Sequence, residues 1–324
     1  MKKNIKNNRE IEFVNYLRGF AVISILLCHY MPESSNVYLQ MSAQFFNIGV
    51  NIFIIISGFC LGLQGEITDV KLWYRKRLKR IYIPYWIFLF LLSIVYIVKR
   101  LRFNFLNWLS CILGIQGANV GVWGADHTWF ITAILICYLI TPLISKRFHR
   151  KRMIEGLAFG GPLIFAIIPW PFVFTLFSPV CFYSLAYFAG RKYKENSMTF
   201  SKAIVTLVIL SISFIVRIGT KIFMDGTILY DRIVVTYTQY IAAFAIFVLF
   251  AFVFKNIKSN RLCKKFCEIS FEVYLCHYMF VVGPISLMEI TTSFVVNMII
   301  ITFVSCGMAV ILHYIAKKIQ KRIE

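Results

Sequence analysis

The chain has 324 residues, of which 59% are hydrophobic and only 15% are charged, and its formal net charge is +21. Its mean hydropathy of +0.73 exceeds what the core of a soluble domain of this length needs, which excludes a soluble globular protein. The basic residues form short clusters between apolar segments, so they indicate membrane topology and not a nucleic-acid partner. We therefore predict an all-α fold, a polytopic bundle of transmembrane helices that forms one membrane-embedded domain over residues 1–324.

The first apolar segment contains an arginine and a histidine. On a helix, Asn15, Arg18, Val22, Ile25 and His29 follow one another at i+3 and i+4 and share one stripe. Ionisable groups at membrane depth cost roughly 2.5 to 3.5 kcal/mol on insertion scales, so this stripe is expected to face a protein interior. For Arg18, snorkelling to the membrane interface is an equal alternative. His29 titrates near neutral pH and is the strongest candidate for a functional group.

Windows of about 20 apolar residues predict ten spans. The spans are 11–31, 42–63, 81–99, 127–145, 156–175, 178–190, 201–219, 233–254, 268–288 and 293–316. With the N-terminus inside, most of the 35 Lys and Arg residues fall on the cytoplasmic side. Those cytoplasmic clusters are at 1–10, 71–80, 146–152, 191–202, 255–265 and 317–322. This bias predicts that both termini are cytoplasmic, in a multi-pass protein of the cell membrane, with a bacterial inner or plasma membrane favoured.

One further apolar segment, from Phe103 to Gln116, is too short to cross a membrane. It lies between a basic cluster and a Gly-rich stretch on the predicted outer side. We predict that it forms an interfacial or re-entrant piece at the outer face.

The cysteines predict neither a disulfide framework nor a metal site. Most of the nine lie in apolar stretches, where cysteine behaves as a small hydrophobe. Cys263 and Cys267 are four residues apart in a basic loop, but no further Cys or His stands nearby at ligand spacing.

The second span contains small and polar residues. Gly58 and Gly62 form a small-xxx-small pair, which predicts that another helix approaches closely. Asn51 and Ser57 are polar at membrane depth. They either line the same cavity as His29 or form hydrogen bonds between helices, and the sequence leaves both alternatives open.

A basic and aromatic segment runs from Trp73 to Trp86. Its cations are most simply an orientation signal at the membrane surface. On a helix, however, Arg77 and Arg80 are one turn apart, and arginine pairs suit the forked hydrogen bonding of phosphate oxygens. The pair therefore predicts a site for a cytosolic donor that carries a nucleotide.

Two later segments hold further histidines. His127 and Trp129 open the fourth span at the predicted outer side, where they either contact a hydroxyl-rich ligand or serve as an interfacial anchor. Tyr274 and His277 lie within a late apolar span. A lone histidine there is more often a packing element than a catalyst, so His277 is assigned only to the lining of the cavity.

These segments, in this order, resemble the acyltransferase 3 family of integral membrane O-acyltransferases. The resemblance covers nearly the whole chain and rests on four motifs of this sequence. They are Leu17-Arg18-Gly19 followed by His29, Gly49-Val50-Asn51-Ile52-Phe53 followed by Ser57-Gly58-Phe59, Arg77 with Arg80-Ile81 and Pro84, and Tyr274-Leu275 with His277. Two departures stand out: Asn51 replaces an Asp that many members carry, and the span after Trp129 lacks a Glu of the larger polysaccharide-modifying members.

The resemblance implies transfer of an acyl group, most often acetyl from acetyl-CoA, to a hydroxyl of a cell-surface polysaccharide or its lipid-linked precursor. Arg77, Arg80 and Arg18 would bind the acyl-CoA, and His29 would act as general base on the acceptor hydroxyl. Asn51, Ser57, His127, Trp129, Tyr274 and His277 would line the acceptor cavity. Acyl-CoA is then a substrate and not a bound cofactor. The expected partners are the glycan acceptor and membrane lipids, with a homodimer left open.

A transporter or flippase for a lipid-linked glycan is the alternative. His29, Arg18 and His277 would then line a translocation path. The sequence has no visible repeat of the kind found in many transporters, which favours the enzyme.

Overall fold

The structure, a computed structural model, describes residues 11–118, 121–146, 151–193 and 199–323. This part of the chain is helical and contains no β-strand. Its helices are α1 (Glu12–Tyr30), α2 (Val37–Phe46), α3 (Gly49–Leu63), α4 (Val70–Val98), α5 (Phe105–Leu113), α6 (Trp129–Lys146), α7 (Lys151–Ile167), α8 (Pro171–Lys192), α9 (Phe200–Met224), α10 (Val235–Val253), α11 (Arg261–Glu268), α12 (Ser270–Val281) and α13 (Phe294–Ile323). The predicted basic cluster at 1–10 and parts of those at 146–152 and 191–202 lie outside the described residues.

Eight segments of the described chain are long and apolar enough to cross a membrane. Of the ten predicted spans, the two without such a helix are 156–175, where α7 has only a short apolar part, and 268–288, where α12 ends after 12 residues. Helix α12 is buried along nearly its whole length, so protein and not lipid surrounds it, and it need not match the membrane thickness. The protein is thus a multi-pass helical bundle, while the count of ten stays a prediction.

Helix α5 is the short apolar segment that was predicted to be interfacial or re-entrant. Its start lies beside the end of α4, where the ring centroids of Trp108 and Tyr96 are 5.2 Å apart. Its end lies much deeper, since the Tyr82 hydroxyl donates to the Leu113 carbonyl at 2.8 Å. Tyr82 and Tyr96 are separated by about 20 Å along a helix. The chain then returns to the level of Trp123, whose carbonyl accepts from Tyr96 at 3.0 Å. Helix α5 thus runs back along α4 before the chain reverses, and its re-entry into the membrane stays a prediction.

Helices α3 and α8 pack backbone against backbone. An added Cβ at Gly62 would lie 2.1 Å from the Tyr187 carbonyl oxygen, and one at Gly190 would lie 2.1 Å from the Phe59 carbonyl oxygen. At Gly58 the corresponding distance is 2.6 Å. The close approach predicted from the small-xxx-small pair is confirmed.

The beginning of α1 and the end of α13 lie at the same end of the bundle. Glu12 forms an ion pair with Lys264 of α11 at 3.4 Å, and Lys317 of α13 forms one with Glu268 of α11 at 3.4 Å. Basic residues of α4 also reach this end, which is called the basic end below. Its assignment to the cytoplasm remains a prediction from the charge bias.

Candidate functional site

Three histidines from separate parts of the chain meet at the end of the bundle opposite to the basic end. His29 is at the end of α1, His127 precedes α6, and His277 is on α12. The Nδ1 atom of His29 is 2.9 Å from Nε2 of His277. The ring centroids of His127 and His277 are 5.1 Å apart. The structure thus brings together all three histidines that the sequence selected.

The hydrogen-bond partners determine the tautomer of each ring. Nδ1 of His277 lies 2.7 Å from the carbonyl oxygen of Tyr274, which can only accept, so this nitrogen carries the proton. In a neutral ring Nε2 of His277 is then the acceptor, and Nδ1 of His29 donates to it. The lone pair of His29 is left on Nε2. His277 therefore orients His29 with its basic nitrogen free, which is the arrangement of a general base.

His127 and Tyr278 also restrict the ring of His29. Nε2 of His127 donates to the Tyr274 carbonyl at 2.9 Å, and the Tyr274 hydroxyl donates to the His127 carbonyl at 2.6 Å. The ring of Tyr278 stacks on His127 with centroids 4.7 Å apart and meets His29 edge to face at 5.1 Å. These contacts leave the His29 ring little freedom to rotate.

A small cavity of about 50 Å³ opens beside His29. His127, Trp129 and Tyr274, which the sequence assigned to a cavity, line it as well. The remaining lining residues come from α1 and from the α2–α3 junction: Ile25, Cys28, Phe46, Asn47, Gly49 and Val50.

The three predicted arginines converge toward the basic end. Arg18 of α1 forms a hydrogen bond with the Cys60 thiol of α3. Arg80 of α4 lies within electrostatic range of both Arg18 and Arg77. Arg77 donates to the Gln64 amide oxygen at 2.7 Å, and its buried Nε atom has no partner in the described chain. None of the three forms an ion pair with a carboxylate of a described residue, although Arg80 lies within electrostatic range of Glu272. Together they present a positive site suited to an anion.

Two other cations of α4 have a different role. The guanidinium of Arg75 donates to the Ile323 carbonyl at 3.2 Å, and the Lys79 ammonium donates to the same oxygen at 2.9 Å. Both therefore stabilise the C-terminal end of α13, where the helix dipole is negative. The first turns of α4 thus contain both cations that bind another helix and cations that remain available.

A stripe of partly exposed side chains on α3 connects the two sites. The stripe consists of Val50, Phe53, Ser57, Cys60 and Gln64, while nearly every other residue of α3 is buried. These positions recur at i+3 and i+4 and so share one face. Val50 lines the cavity beside His29, and Cys60 and Gln64 bind Arg18 and Arg77. The stripe therefore extends along α3 from the arginines to the cavity beside His29.

The two polar residues of the second span take separate directions. Ser57 lies on the stripe and donates to the Tyr138 hydroxyl at 3.4 Å. Asn51 is buried and points to α10, where its amide donates to Gln239 at 3.5 Å. Of the two alternatives that the sequence left open, both residues thus form the hydrogen bond between helices, and neither lines the cavity beside His29.

Sequence reasoning missed one member of the site, Tyr278, and a buried pair elsewhere in the bundle. Tyr278 directly follows His277 in the sequence, but no spacing pattern shows that its ring contacts His29 and His127. Glu272 and His313 form a buried pair between α12 and α13, with Oε1 and Nδ1 2.7 Å apart. The rule that selected His29, an ionisable group at membrane depth, could have found His313. In the described residues no group of three or more His, Cys, Asp or Glu is arranged to hold a metal ion.

Comparison with models of protein families gives a match that covers most of the chain. The model of a family described as an acyltransferase domain matches residues 11–316. No curated protein and no solved structure matches the chain.

Proposed function

Because it matches the family model over nearly its whole length, the chain belongs to the acyltransferase 3 family, and from this premise we propose that it transfers an acyl group from acyl-CoA to a carbohydrate hydroxyl. The preferred donor is acetyl-CoA. The acceptor is a cell-surface polysaccharide or its lipid-linked precursor, and the protein is located in the bacterial inner or plasma membrane.

The observation that carries this proposal is the stripe of partly exposed side chains on α3. It joins a site with three arginines to a cavity with an oriented histidine. Along α1, Arg18 of the first and His29 of the second are about 17 Å apart. A donor with phosphates at one end, a thioester at the other and an extended arm between them fits this arrangement. In the proposed orientation the arginines bind the phosphates at the cytoplasmic face while the thioester reaches the opposite half of the membrane.

The proposed reaction follows from which nitrogen atoms of His29 and His277 carry a proton. The acceptor hydroxyl gives its proton to Nε2 of His29 as its oxygen attacks the thioester carbonyl. The carbon–sulfur bond breaks, coenzyme A leaves as the thiolate, and the acceptor becomes an ester. His277 stabilises the imidazolium by accepting the Nδ1 proton in a hydrogen bond, and the Tyr274 carbonyl fixes His277 in turn. Such a positioned base contributes about 10²–10⁴-fold to the rate.

Membranes that contain the protein should transfer label from radioactive acetyl-CoA to an extracted cell-envelope glycan. Matched membranes without the protein are the control. In cells, deletion of the gene should remove O-acetyl groups at an unchanged amount of polymer. Loss of the polymer itself, with no labelled ester formed in membranes, would instead support the transporter.

Replacement of the available arginines should weaken donor binding. We expect Arg77→Ala and Arg80→Ala each to remove a charge-assisted phosphate contact worth about 1.5 to 3 kcal/mol, so that the dissociation constant of acyl-CoA rises roughly 10- to 150-fold. Titration of the purified protein with acetyl-CoA measures this change.

Arg75→Ala is the matched control, because the same charge is removed from the same helix. Since Arg75 binds the end of α13, this variant should keep its affinity for acyl-CoA. Equal losses of affinity in all three variants, or none in any, would mean that the cluster only orients the protein in the membrane.

A further inference from the structure

Helix α9 has one cation on its buried side. Most of its surface faces outward, and its buried residues are Ala203, Ser213 and Arg217. Arg217 is 5% exposed. An arginine of a lipid-facing helix can reach the membrane interface with its long side chain, but this one is directed into the bundle.

The neighbours of Arg217 place it next to the cavity of His29. Phe214, one turn earlier on α9, packs against Phe45 with ring centroids 5.4 Å apart, and the adjacent Phe46 lines the cavity. Arg217 also lies within electrostatic range of Cys28, another lining residue. The cation therefore lies on the side of the cavity formed by α1 and α2.

The charge of Arg217 is not neutralised by the part of the chain that the structure describes. Its polar neighbour is Tyr230, a neutral hydroxyl. Its Nε atom is buried and has no hydrogen-bond partner. No described carboxylate forms an ion pair with it. A desolvated guanidinium with an open donor is a binding site for an oxyanion, for which its planar fork is suited.

We propose that Arg217 binds an oxyanion, a carboxylate or a phosphate, of the molecule that enters the cavity. The inference rests on the proposed function and narrows it: the acceptor is an anionic carbohydrate whose reacting hydroxyl lies near its negative charge. A neutral glycan would leave Arg217 unpaired in the complex as well.

Cys28 provides a reporter for this site that does not depend on acyl transfer. Full-length protein that retains Cys28 as its only cysteine, in phosphatidylcholine vesicles, is labelled with an anionic and a cationic methanethiosulfonate. We expect Arg217→Gln to lower the ratio of the anionic to the cationic rate about tenfold, because one nearby positive charge is lost. Glucuronate should slow labelling of the wild-type protein while glucose does not, and this protection should disappear in Arg217→Gln but persist in Arg217→Lys.

Lys221→Gln is the matched control, since it removes one charge from the same helix one turn away. It should leave the ratio and the protection unchanged. Slower labelling in vesicles that contain phosphatidylglycerol, without added sugar, would identify the oxyanion as a lipid headgroup and overturn the assignment to the acceptor.

Three other outcomes also overturn the proposal. They are an unchanged ratio in Arg217→Gln, equal protection by glucose and glucuronate, and failure of both reagents to label Cys28. These readouts measure binding and not acyl transfer. If the protein transferred no acyl group, the proposed function would be wrong, but the labelling experiment would still test anion binding by Arg217.

Discussion

His29→Gln is expected to reduce turnover by at least about a hundredfold, because glutamine can replace the hydrogen bond of the histidine but cannot accept the proton of the acceptor hydroxyl. The side-chain amide of glutamine can still donate to Nε2 of His277, as Nδ1 of His29 does at 2.9 Å. The surrounding helices should therefore stay in place. Acyl-CoA affinity and the amount of protein in the membrane should remain near the wild-type values, and the rate of ester formation measures the effect.

His313→Gln is the control with the same chemical change elsewhere in the bundle. His313 binds Glu272 and does not line the cavity beside His29. Any loss of activity in this variant should follow the amount of folded protein. If His29→Gln forms ester near the wild-type rate, or loses activity only in proportion to its abundance, His29 has a structural role.

Gly62→Leu is expected to prevent stable assembly of the bundle. A side chain at this position meets the Tyr187 carbonyl oxygen, where even a Cβ atom would be 2.1 Å away. A backbone atom cannot rotate aside, so α3 and α8 must separate. Overpacking costs about 1–3 kcal/mol in ordinary cores, and a clash with backbone lies at or above the upper value. Thermal unfolding of the detergent-solubilised protein, or its recovery as a monodisperse species, measures the loss.

Gly219→Leu makes the same substitution where the structure has room. An added Cβ at Gly219 meets nothing within 4 Å, and the residue lies on lipid-facing α9. This variant should unfold near the wild-type temperature, because leucine is also the better helix former. Equal unfolding temperatures for the two leucine variants would contradict the close α3–α8 contact.

The membrane class and the histidines and arginines of the site were predictable because their signals are local. Long apolar segments, charge clusters and polar residues within them are visible in the sequence without knowledge of packing. For the same reason α5 was recognised as too short to cross. Gly58 and Gly62 predicted a close contact, although the partner helix could not be named.

The relations between residues were not predictable. His29 and His277 are separated by 248 positions, and nothing local indicates that one donates to the other. The length of α12 depends on its burial by other helices, which hydropathy windows do not measure. The direction of Arg217 into the bundle depends on how α9 packs against α10 and the rest of the bundle, which no local pattern shows.

The stripe on α3 has an electrical consequence in the proposed mechanism. Phe53 lies at its midpoint, with its ring 6.4 Å from that of Phe130. In the proposed orientation, the hydroxyl proton leaves from His29 to the outside, whereas the coenzyme A thiolate takes up its proton in the cytoplasm. Each turnover then moves one positive charge outward across the membrane. Against an inside-negative potential this charge movement costs about 2.3 kcal/mol per 100 mV. Each acyl transfer would therefore be less favourable in cells with a larger membrane potential.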